Sequence, residues 1–199
     1  RLDAQPRLDH PLTEAEARAF YTEHRYMLWR NLVHRRHSAW RRVLATMRGH
    51  FGTLLEIGCG IAPVSAWVAP RRPDWIYGLV DLDSPHRAYG HWRVERVVGA
   101  ASCWVAPAVP NGGAAFDVIT ALDVFEHLAD PVATARQALG ALRPRGYLHT
   151  NFVSNPLRND LDLATEPQRE ETLALLRDRL DLVWEDTGYC LWRARASDG

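Results

Sequence analysis

Short apolar runs alternate with amphipathic stretches over the C-terminal three-quarters of the chain. The runs carry apolar residues at successive positions, which is typical of strands in a parallel sheet covered by helices. This alternation predicts a doubly wound α/β sheet. The predicted strands are residues 53–57, 75–80, 94–98, 116–122 and 147–153, and the predicted helices are residues 63–69, 84–92 and 131–142. Residues 143–146, Arg-Pro-Arg-Gly, are expected to end the last of these helices and form a turn.

The two ends of the chain add further elements. Thr13 followed by Glu16 is a capping-box pattern and predicts the start of a helix. Apolar residues continue at near-helical spacing to Met47, so residues 1–50 are predicted to form a helical cap on a domain of residues 51–199. Residues 157–180 have a mainly helical pattern, interpreted either as a substrate lid or as a helix that covers the sheet. Residues 182–185 and 190–194 predict an antiparallel hairpin.

The composition is that of an ordinary globular protein and excludes several classes. The 199 residues are 47% hydrophobic and 24% charged, which predicts one folded unit rather than a disordered chain. No apolar stretch approaches the roughly 18 residues of a membrane span, and residues 1–10 lack the apolar core of a secretory signal. A cytoplasmic protein without membrane contact is therefore predicted. The net charge of +0 makes duplex nucleic acid a poor partner.

The distribution of charged residues is unusual. All 24 basic residues are arginine, which excludes a lysine Schiff base and a phosphate-loop lysine. The three cysteines have no C-x-x-C spacing and predict neither a zinc cluster nor a disulfide framework. Residues 24–55 hold seven arginines and no acid, whereas residues 159–186 hold nine acids and three arginines. Either the arginines attract an anionic small molecule, or the two blocks neutralise each other or face water.

The most informative segment is residues 54–63, with the sequence LLEIGCGIAP. An apolar strand leads into a turn with glycine at alternate positions and then into a helix, so the main chain can approach a ligand beside a helix N-terminus. Open α/β sheets bind ligands outside the carboxyl ends of their strands, which is where this turn is expected to lie. Pro63 stands where a dinucleotide fingerprint requires glycine or alanine. Glu56 has no obvious structural need, so a cationic ligand with ammonium and sulfonium groups is favoured.

Residues 54–63 resemble the first motif of class I S-adenosylmethionine-dependent methyltransferases of the small-molecule type. Three later segments resemble the same family in the same order: the second strand with its ribose-binding acid, the fourth strand with its E-H-L turn, and the start of the fifth strand. They are residues 76–81, 116–128 and 142–148. The resemblance covers about residues 51–153 and implies a Rossmann-like seven-stranded sheet with an antiparallel last strand. Residues 99–102, GAAS, are expected after the third strand and lack the acid that many relatives place on adenine.

The resemblance implies S-adenosylmethionine as the cofactor and a small molecule as the methyl acceptor. The all-arginine usage with many alanines is associated with GC-rich bacterial genomes, in which an enzyme of biosynthesis or tailoring is expected. Glu56 and Asp81 are expected to face one hollow and to fix the amino-acid and ribose groups of the cofactor. Asp83 is interpreted as the cap of the following helix. The implied cofactor-binding residues are Glu56, Gly58, Cys59, Gly60, Asp81, Leu82, Ala101, Ser102, Leu122 and Asp123.

The E-H-L turn supplies the candidate for catalysis. His127 could deprotonate the acceptor, since imidazole titrates near neutrality. In-line methyl transfer depends mainly on positioning, however, so the turn could be purely structural.

Candidates for acceptor contact come from the cap and from the segment after the fifth strand. The aromatic residues among them could equally be ordinary packing residues. They are Tyr21, Tyr26, Trp29, Asn151 and Asn155. His24, His34 and His37 suggest a metal site, but no acid lies nearby to complete a ligand set, so no metal is predicted.

Two other functions stay open. Relatives with this fold can use the sulfonium as a charge in cyclisation or decarboxylation, and a degenerate partner subunit would bind without turnover. Formation of S-adenosylhomocysteine separates methyl transfer from both. The acceptor atom and the oligomeric state are not predicted.

Overall fold

The computed structural model of the chain contains a seven-stranded mixed sheet with helices on both faces. The structure describes residues 13–23, 41, 52–111, 113, 115–152, 163–186 and 188–196. Most of the predicted helical cap therefore lies outside the described residues, and its division from the domain of residues 51–199 stays a prediction. None of the described helices is both long enough and apolar enough to span a membrane.

The order of elements is that of a doubly wound fold. The strands are arranged β3-β2-β1-β4-β5-β7-β6, with β1 to β5 parallel and β7 antiparallel to both β5 and β6. The predicted sheet and its antiparallel last strand are confirmed. The elements are α1 (Glu14–Glu23), β1 (Thr53–Ile57), α2 (Pro63–Val68), β2 (Ile76–Val80), α3 (Pro85–Val98), β3 (Cys103–Ala106), β4 (Phe116–Ala121), α4 (Pro131–Ala141), β5 (Leu142–Thr150), α5 (Glu166–Arg179), β6 (Leu180–Asp186) and β7 (Tyr189–Ala194).

The first helix begins where the capping pattern predicts. The Thr13 N–H donates to the Glu16 carboxylate at 2.8 Å, and the Glu16 N–H donates to the Thr13 hydroxyl at 3.3 Å. This reciprocal pair satisfies two main-chain donors that have no partner inside a helix. The sequence prediction of a helix start at Thr13 is confirmed.

Two hydrophobic cores lie on opposite faces of the sheet. Leu54 of β1 packs into the core that includes residues of α2 and α3, whereas Leu55 packs into the core that includes residues of α4 and α5. Successive residues of a strand point to opposite faces, and both faces of this sheet are covered by helices, so both side chains are fully buried. This two-sided burial explains why the parallel strands are continuous apolar runs.

The predicted third strand is wrong. Residues 94–98 form the last turn and a half of α3, and the strand next to β2 is Cys103–Ala106. The valines at positions 94, 97 and 98 have helical spacing, and Val94 is buried on the side of the helix that faces the core. Gly99, with φ +85°, follows the helix. The GAAS segment therefore precedes the third strand instead of following it.

The fifth strand begins earlier than predicted. Leu142 pairs with Phe116, and after a register shift Tyr147 pairs with Val118, so residues 143–146 bulge out of the ladder. Arg145 takes the left-handed conformation there, with φ +63°. The predicted turn thus exists as a bulge within β5.

The helix over residues 166–179 covers the sheet. Its residues Leu173 and Leu176 are buried in the same core as Ala135 and Ala138 of α4. For this part of the segment the covering interpretation is confirmed, and residues 157–162 lie outside the described residues.

Candidate functional site

The loop between β1 and α2 is bent by left-handed residues at alternate positions. Gly58, Gly60 and Ala62 have φ values of +64°, +47° and +52°. A Cβ atom on Gly58 would lie 2.3 Å from Cγ2 of Val124, so a side chain at that position has no room. The Cys59 N–H donates to the Val80 carbonyl at 3.0 Å, which fastens the loop to the end of β2. The loop therefore presents its main chain at the carboxyl edge of the sheet.

Glu56, near the end of β1, is hydrogen-bonded to the helix that follows this loop. Its two carboxylate oxygens accept hydrogen bonds from the N–H groups of Val64 at 3.0 Å and Ser65 at 2.8 Å, in the first turn of α2. The expectation that this carboxylate has no structural task is wrong. Burial raises its pKa to about 7, against the opposing effect of hydrogen bonds from Ser65 and Val64 and of the Arg93 charge. Near neutral pH a cation beside Glu56 would favour its charged form.

Asp81 joins β2 to the same loop. Its carboxylate accepts hydrogen bonds from the N–H groups of Gly60 and Leu82, both at 2.6 Å. Burial raises the pKa of Asp81, while these two hydrogen bonds and the nearby charges of Arg87 and His86 act in the opposite direction. Each carboxylate oxygen keeps a lone pair for another donor, such as a ribose hydroxyl.

These residues border one cavity of about 390 Å³ at the carboxyl edge of the sheet. Glu56 and Asp81 both line it, as expected from the sequence. Such a volume falls in the range typical of sites for small molecules. Of the implied cofactor-binding residues, those that line the cavity are Glu56, Gly58, Cys59, Gly60, Asp81, Leu82, Leu122 and Asp123.

The loop after β4 forms the opposite wall. Asp123 has φ +54°, and Asn151 holds it there because the Asn151 Oδ1 accepts from the Asp123 N–H at 2.8 Å. The Asn151 Nδ2 also donates to the Asp123 carboxylate. Asn151 is buried and does not line the cavity, so the structure gives it a positioning role toward Asp123 in place of the expected contact with the acceptor.

Helix α1 covers the cavity. Tyr21 and His127 both line it, and their ring centroids lie 5.5 Å apart. His86, at the start of α3, forms a hydrogen bond with the main chain of Tyr21, and burial lowers the pKa of this histidine while the Asp81 charge raises it. The structure places both His127 and Tyr21 at this cavity, and their roles there stay predictions.

The structure does not bring Ala101 and Ser102 to the cavity. They belong to a short 3₁₀ turn before β3, and in a parallel sheet the start of a strand lies at the edge opposite its carboxyl end. Their assignment depended on the wrong third strand. After the actual third strand come Pro107 and Ala108, so the acid expected there from the family is absent at this position too.

Asp83 is not the cap of the helix. Ser84 caps α3 by accepting from the Arg87 N–H at 3.2 Å, and the exposed Asp83 pairs with the Arg87 guanidinium at 2.6 Å. Tyr26, Trp29 and Asn155 lie outside the described residues, as do His24, His34 and His37. Within the described ranges no three His, Cys, Asp or Glu side chains come together as a metal site.

Several cavity residues were not found from the sequence. They come from elements whose contact with the loop depends on the fold: α1, the start of α3, the end of β4 and the start of β7. Ser84 and His86 follow Asp81 closely, and that proximity was the one available signal. The residues missed in this way include Glu14, Arg18, Ser84, His86, Thr120 and Tyr189.

The residues present fit a cationic amino-acid nucleoside. A loop with glycine at positions 58 and 60, a carboxylate able to accept further hydrogen bonds and a buried carboxyl group border the same cavity. Hydroxyl donors can be held by Asp81, and a positive group is favoured near Glu56. Among the described residues that line the cavity, the one permanently cationic side chain is that of Arg18 on α1.

Comparison with known proteins agrees with this geometry. Residues 55–148 match a family model described as a methyltransferase domain. The chain is 28% identical over 104 residues to a ubiquinone biosynthesis O-methyltransferase of Parvibaculum lavamentivorans. The aligned part is 52% of this chain and 41% of the relative, so the chain spans about two-fifths of that protein's length.

Solved structures show the same fold at low sequence identity. The N-methyltransferase NodS of Bradyrhizobium japonicum, in complex with S-adenosyl-L-homocysteine, aligns with a TM-score of 0.57 and 17% identity, covering 84% of this chain and 96% of NodS. The [4+2]-cyclase SpnF aligns with a TM-score of 0.58 and 15% identity, covering 79% of this chain and 81% of SpnF. Residues 55–148 are therefore similar in sequence to a methyltransferase domain, and the seven-stranded sheet is the fold of the solved methyltransferase NodS.

Proposed function

We propose that this chain transfers the methyl group of S-adenosylmethionine to a small-molecule acceptor in biosynthesis or tailoring. The observation that carries the proposal is the convergence of the glycine loop, Glu56 and Asp81 on one cavity beneath α1. The matched O-methyltransferase is named for ubiquinone biosynthesis, which supports a biosynthetic role. A bacterial origin and a cytoplasmic location stay predictions of the sequence.

The chain's own residues would bind and orient the cofactor. Asp81 would accept hydrogen bonds from the ribose hydroxyls, the main chain at Gly58 and Gly60 would lie against the amino-acid part, and Glu56 would balance its ammonium group. When bound, S-adenosylmethionine supplies an electrophilic methyl group on a sulfonium. Residues of α1 and the loop after β4 line the cavity beside this cofactor site, so an acceptor held there would favour transfer by approximation.

His127 is proposed as the group that receives the acceptor's proton. It lines the cavity from the turn after β4 and packs against the Tyr21 ring, which limits the orientations of its imidazole. A neutral imidazole can accept a proton from a hydroxyl or amine as the methyl group arrives.

An anionic group on the acceptor is also proposed. Arg18 lines the cavity from α1, and its guanidinium is the one permanent cation among the described lining residues. An acceptor carboxylate or phosphate at the mouth of the cavity would lie toward Arg18, whereas the walls at Glu56, Asp81 and Asp123 repel it. This arrangement supports the anionic acceptor suggested by the sequence without requiring the arginines of residues 24–55.

The proposal is tested by titrating the protein with S-adenosylhomocysteine in a calorimeter. We expect Asp81→Asn to weaken binding by about tenfold to a hundredfold, because one hydrogen bond to a charged group contributes about 1.5–3 kcal/mol. Asp83→Asn is the matched control, since Asp83 is exposed and lies outside the cavity. Equal affinities of the two variants, or no binding by the unmodified protein, contradict the proposal.

Turnover separates methyl transfer from the other chemistries of the fold. The structural similarity to the cyclase SpnF means that the fold alone does not choose between them. Incubation with S-adenosylmethionine and a panel of phenols, amines and carboxylates is expected to release S-adenosylhomocysteine. Binding of the cofactor without its formation would favour a cyclase, a decarboxylase or a non-catalytic subunit.

A further inference from the structure

A row of polar side chains crosses the sheet one residue below its carboxyl edge. Glu56 of β1 is in register with Thr120 of β4, and Thr120 is in register with His149 of β5. Residues in register on neighbouring parallel strands point to the same face, about 4.8 Å apart. The three side chains therefore lie side by side on the face that carries Leu54.

Two members of this row have no hydrogen-bond partner. Both Glu56 oxygens are bonded to α2, but the Thr120 hydroxyl and both ring nitrogens of His149 have no partner within the described part of the chain. Thr120 is 1% exposed and His149 is 0% exposed. Buried polar groups are nearly always hydrogen-bonded, so both residues are exceptions. Thr120 lines the cavity, so its hydroxyl is within reach of a bound molecule, whereas His149 lies beside it in the row without lining the cavity.

The row reaches the cavity on the side away from Asp81. Thr120 and Tyr189 line the cavity, and the His149 ring centroid lies 5.9 Å from that of Tyr189. The strand order β2-β1-β4-β5 puts Asp81 and the glycine loop at one end of the site and the row from Thr120 to His149 at the other. If the cofactor lies over β2 and β1, the end over β4 and β5 is left for the acceptor.

We propose that the Thr120 hydroxyl, with the His149 ring beside it in the row, is a hydrogen-bonding subsite that binds one uncharged polar group, a hydroxyl or a carbonyl, of the acceptor. This inference rests on the proposed function, because it takes the cofactor to lie at the Asp81 end of the cavity. It is separate from the anion-binding role of Arg18, which lies on α1 at the mouth of the cavity.

The side chains on either side of Thr120 favour an uncharged acceptor group over a charged one. Glu56 is the neighbour of Thr120 in the row and repels a carboxylate that enters there. Burial lowers the pKa of His149 to about 4, so its imidazole is neutral at physiological pH and offers one donor and one acceptor. The Thr120 hydroxyl can both donate to and accept from a hydroxyl group, and the neutral imidazole beside it adds no net charge to attract an ion.

The test uses phenol as the smallest probe that combines a ring with an uncharged hydroxyl, and toluene and benzoate as comparators. Binding is followed by the ¹⁵N chemical shifts of the histidine rings, with and without S-adenosylhomocysteine, and the His149 signals are assigned with His149→Phe. We expect phenol to shift the His149 signals and to bind more tightly than either comparator. The preference over toluene should fall roughly three- to tenfold in Thr120→Val and persist in Thr120→Ser.

A matched pair of variants separates binding from structure. Thr172, on the opposite face of the sheet, is equally buried, but its hydroxyl donates to the Gln168 carbonyl at 2.7 Å. Thr172→Val should therefore lower the thermal midpoint and leave phenol binding unchanged. Thr120→Val should not lower the midpoint, because the hydroxyl it removes has no partner to lose.

Each result decides between the possibilities. Phenol binding that equals toluene binding, or that is the same in Thr120→Val, overturns the inference, as does a failure of phenol to shift the His149 signals. If Thr120→Val does not fold, His149→Phe gives the same comparison. Failure of S-adenosylhomocysteine to bind would overturn the proposed function, whereas the phenol preference measured without it still reports on the subsite.

Discussion

Individual carboxylates at this site serve the fold and the ligand together. Glu56 accepts two N–H groups from the first turn of α2, and Asp81 accepts those of Gly60 and Leu82. These hydrogen bonds fix the loop in the shape that leaves the cavity open. Removal of either carboxylate is therefore expected to disturb the loop as well as the contact with a ligand. Asp81→Asn keeps only one of the two accepting oxygens, so its ligand affinity is compared together with its thermal midpoint.

Gly58 is required by its conformation and by its neighbour. We expect Gly58→Ala to lower the free energy of unfolding by about 1–3 kcal/mol, because φ is +64° and the new Cβ would overlap Val124. Chemical denaturation measures this difference. Gly140→Ala is the control: that glycine is exposed in α4 with no atom near its Cβ position, so alanine should stabilise the protein by roughly 0.5–1 kcal/mol. A neutral Gly58→Ala would contradict this account.

Among secondary-structure elements, the ends of β4 and β5 depend on each other. Asn151 follows β5 and binds both the N–H and the carboxylate of Asp123, which follows β4. This link holds the loop that carries Val124 and His127 against the cavity. A loop with a left-handed aspartate would not be expected to keep this shape by local preference alone.

We expect Asn151→Asp to be more damaging than Asn151→Ala. Alanine leaves a buried N–H without its acceptor, at a cost of about 1–3 kcal/mol. Aspartate can still accept from the Asp123 N–H, but it replaces the donating amide with a second carboxylate facing that of Asp123. Thermal unfolding of both variants checks the order, with Asn111→Ala at an exposed position as the control. An unchanged midpoint for Asn151→Asp would rule out the link.

Across the whole protein, two buried groups of the polar row act on stability in opposite directions. Burial raises the pKa of Glu56 from 4.5 to about 7, so folding takes up protons there, and this group's contribution falls as the pH rises from about 4.5 to 7. Burial lowers the pKa of His149 from 6.5 to about 4, so its contribution falls as the pH drops from about 6.5 to 4. The two trends oppose each other over most of the same interval.

Single variants should separate these trends. Relative to the unmodified protein, Glu56→Gln should gain stability as the pH rises from 4.5 to 7, and His149→Phe should gain stability as the pH falls from 6.5 to 4. Each difference should amount to a few kcal/mol across the interval, since one pKa unit corresponds to about 1.4 kcal/mol. Denaturant unfolding at several pH values measures it. Parallel pH profiles for the variants and the unmodified protein would show that neither group titrates as described.

The amino-acid pattern was sufficient for the elements and motifs whose signals are local. The capping residues Thr13 and Glu16, the apolar strand 53–57 and the alternate glycines each act through near neighbours in the chain, so they could be read without the fold. The third strand was misread because a run of valines suits a strand as well as a helix, and which of them forms depends on the surface available for burial.

The remainder of the site depends on contacts between residues far apart in the chain. The tie from Asn151 to Asp123, the cover formed by Tyr21 over His127, and the row from Glu56 through Thr120 to His149 all join separate elements. Glu56 and Asp81 were expected at the cavity from their motifs alone. That Glu56 also supports α2, and that Thr120 and His149 are buried without partners, followed only from strand register and helix packing, because burial is a property of the assembled sheet.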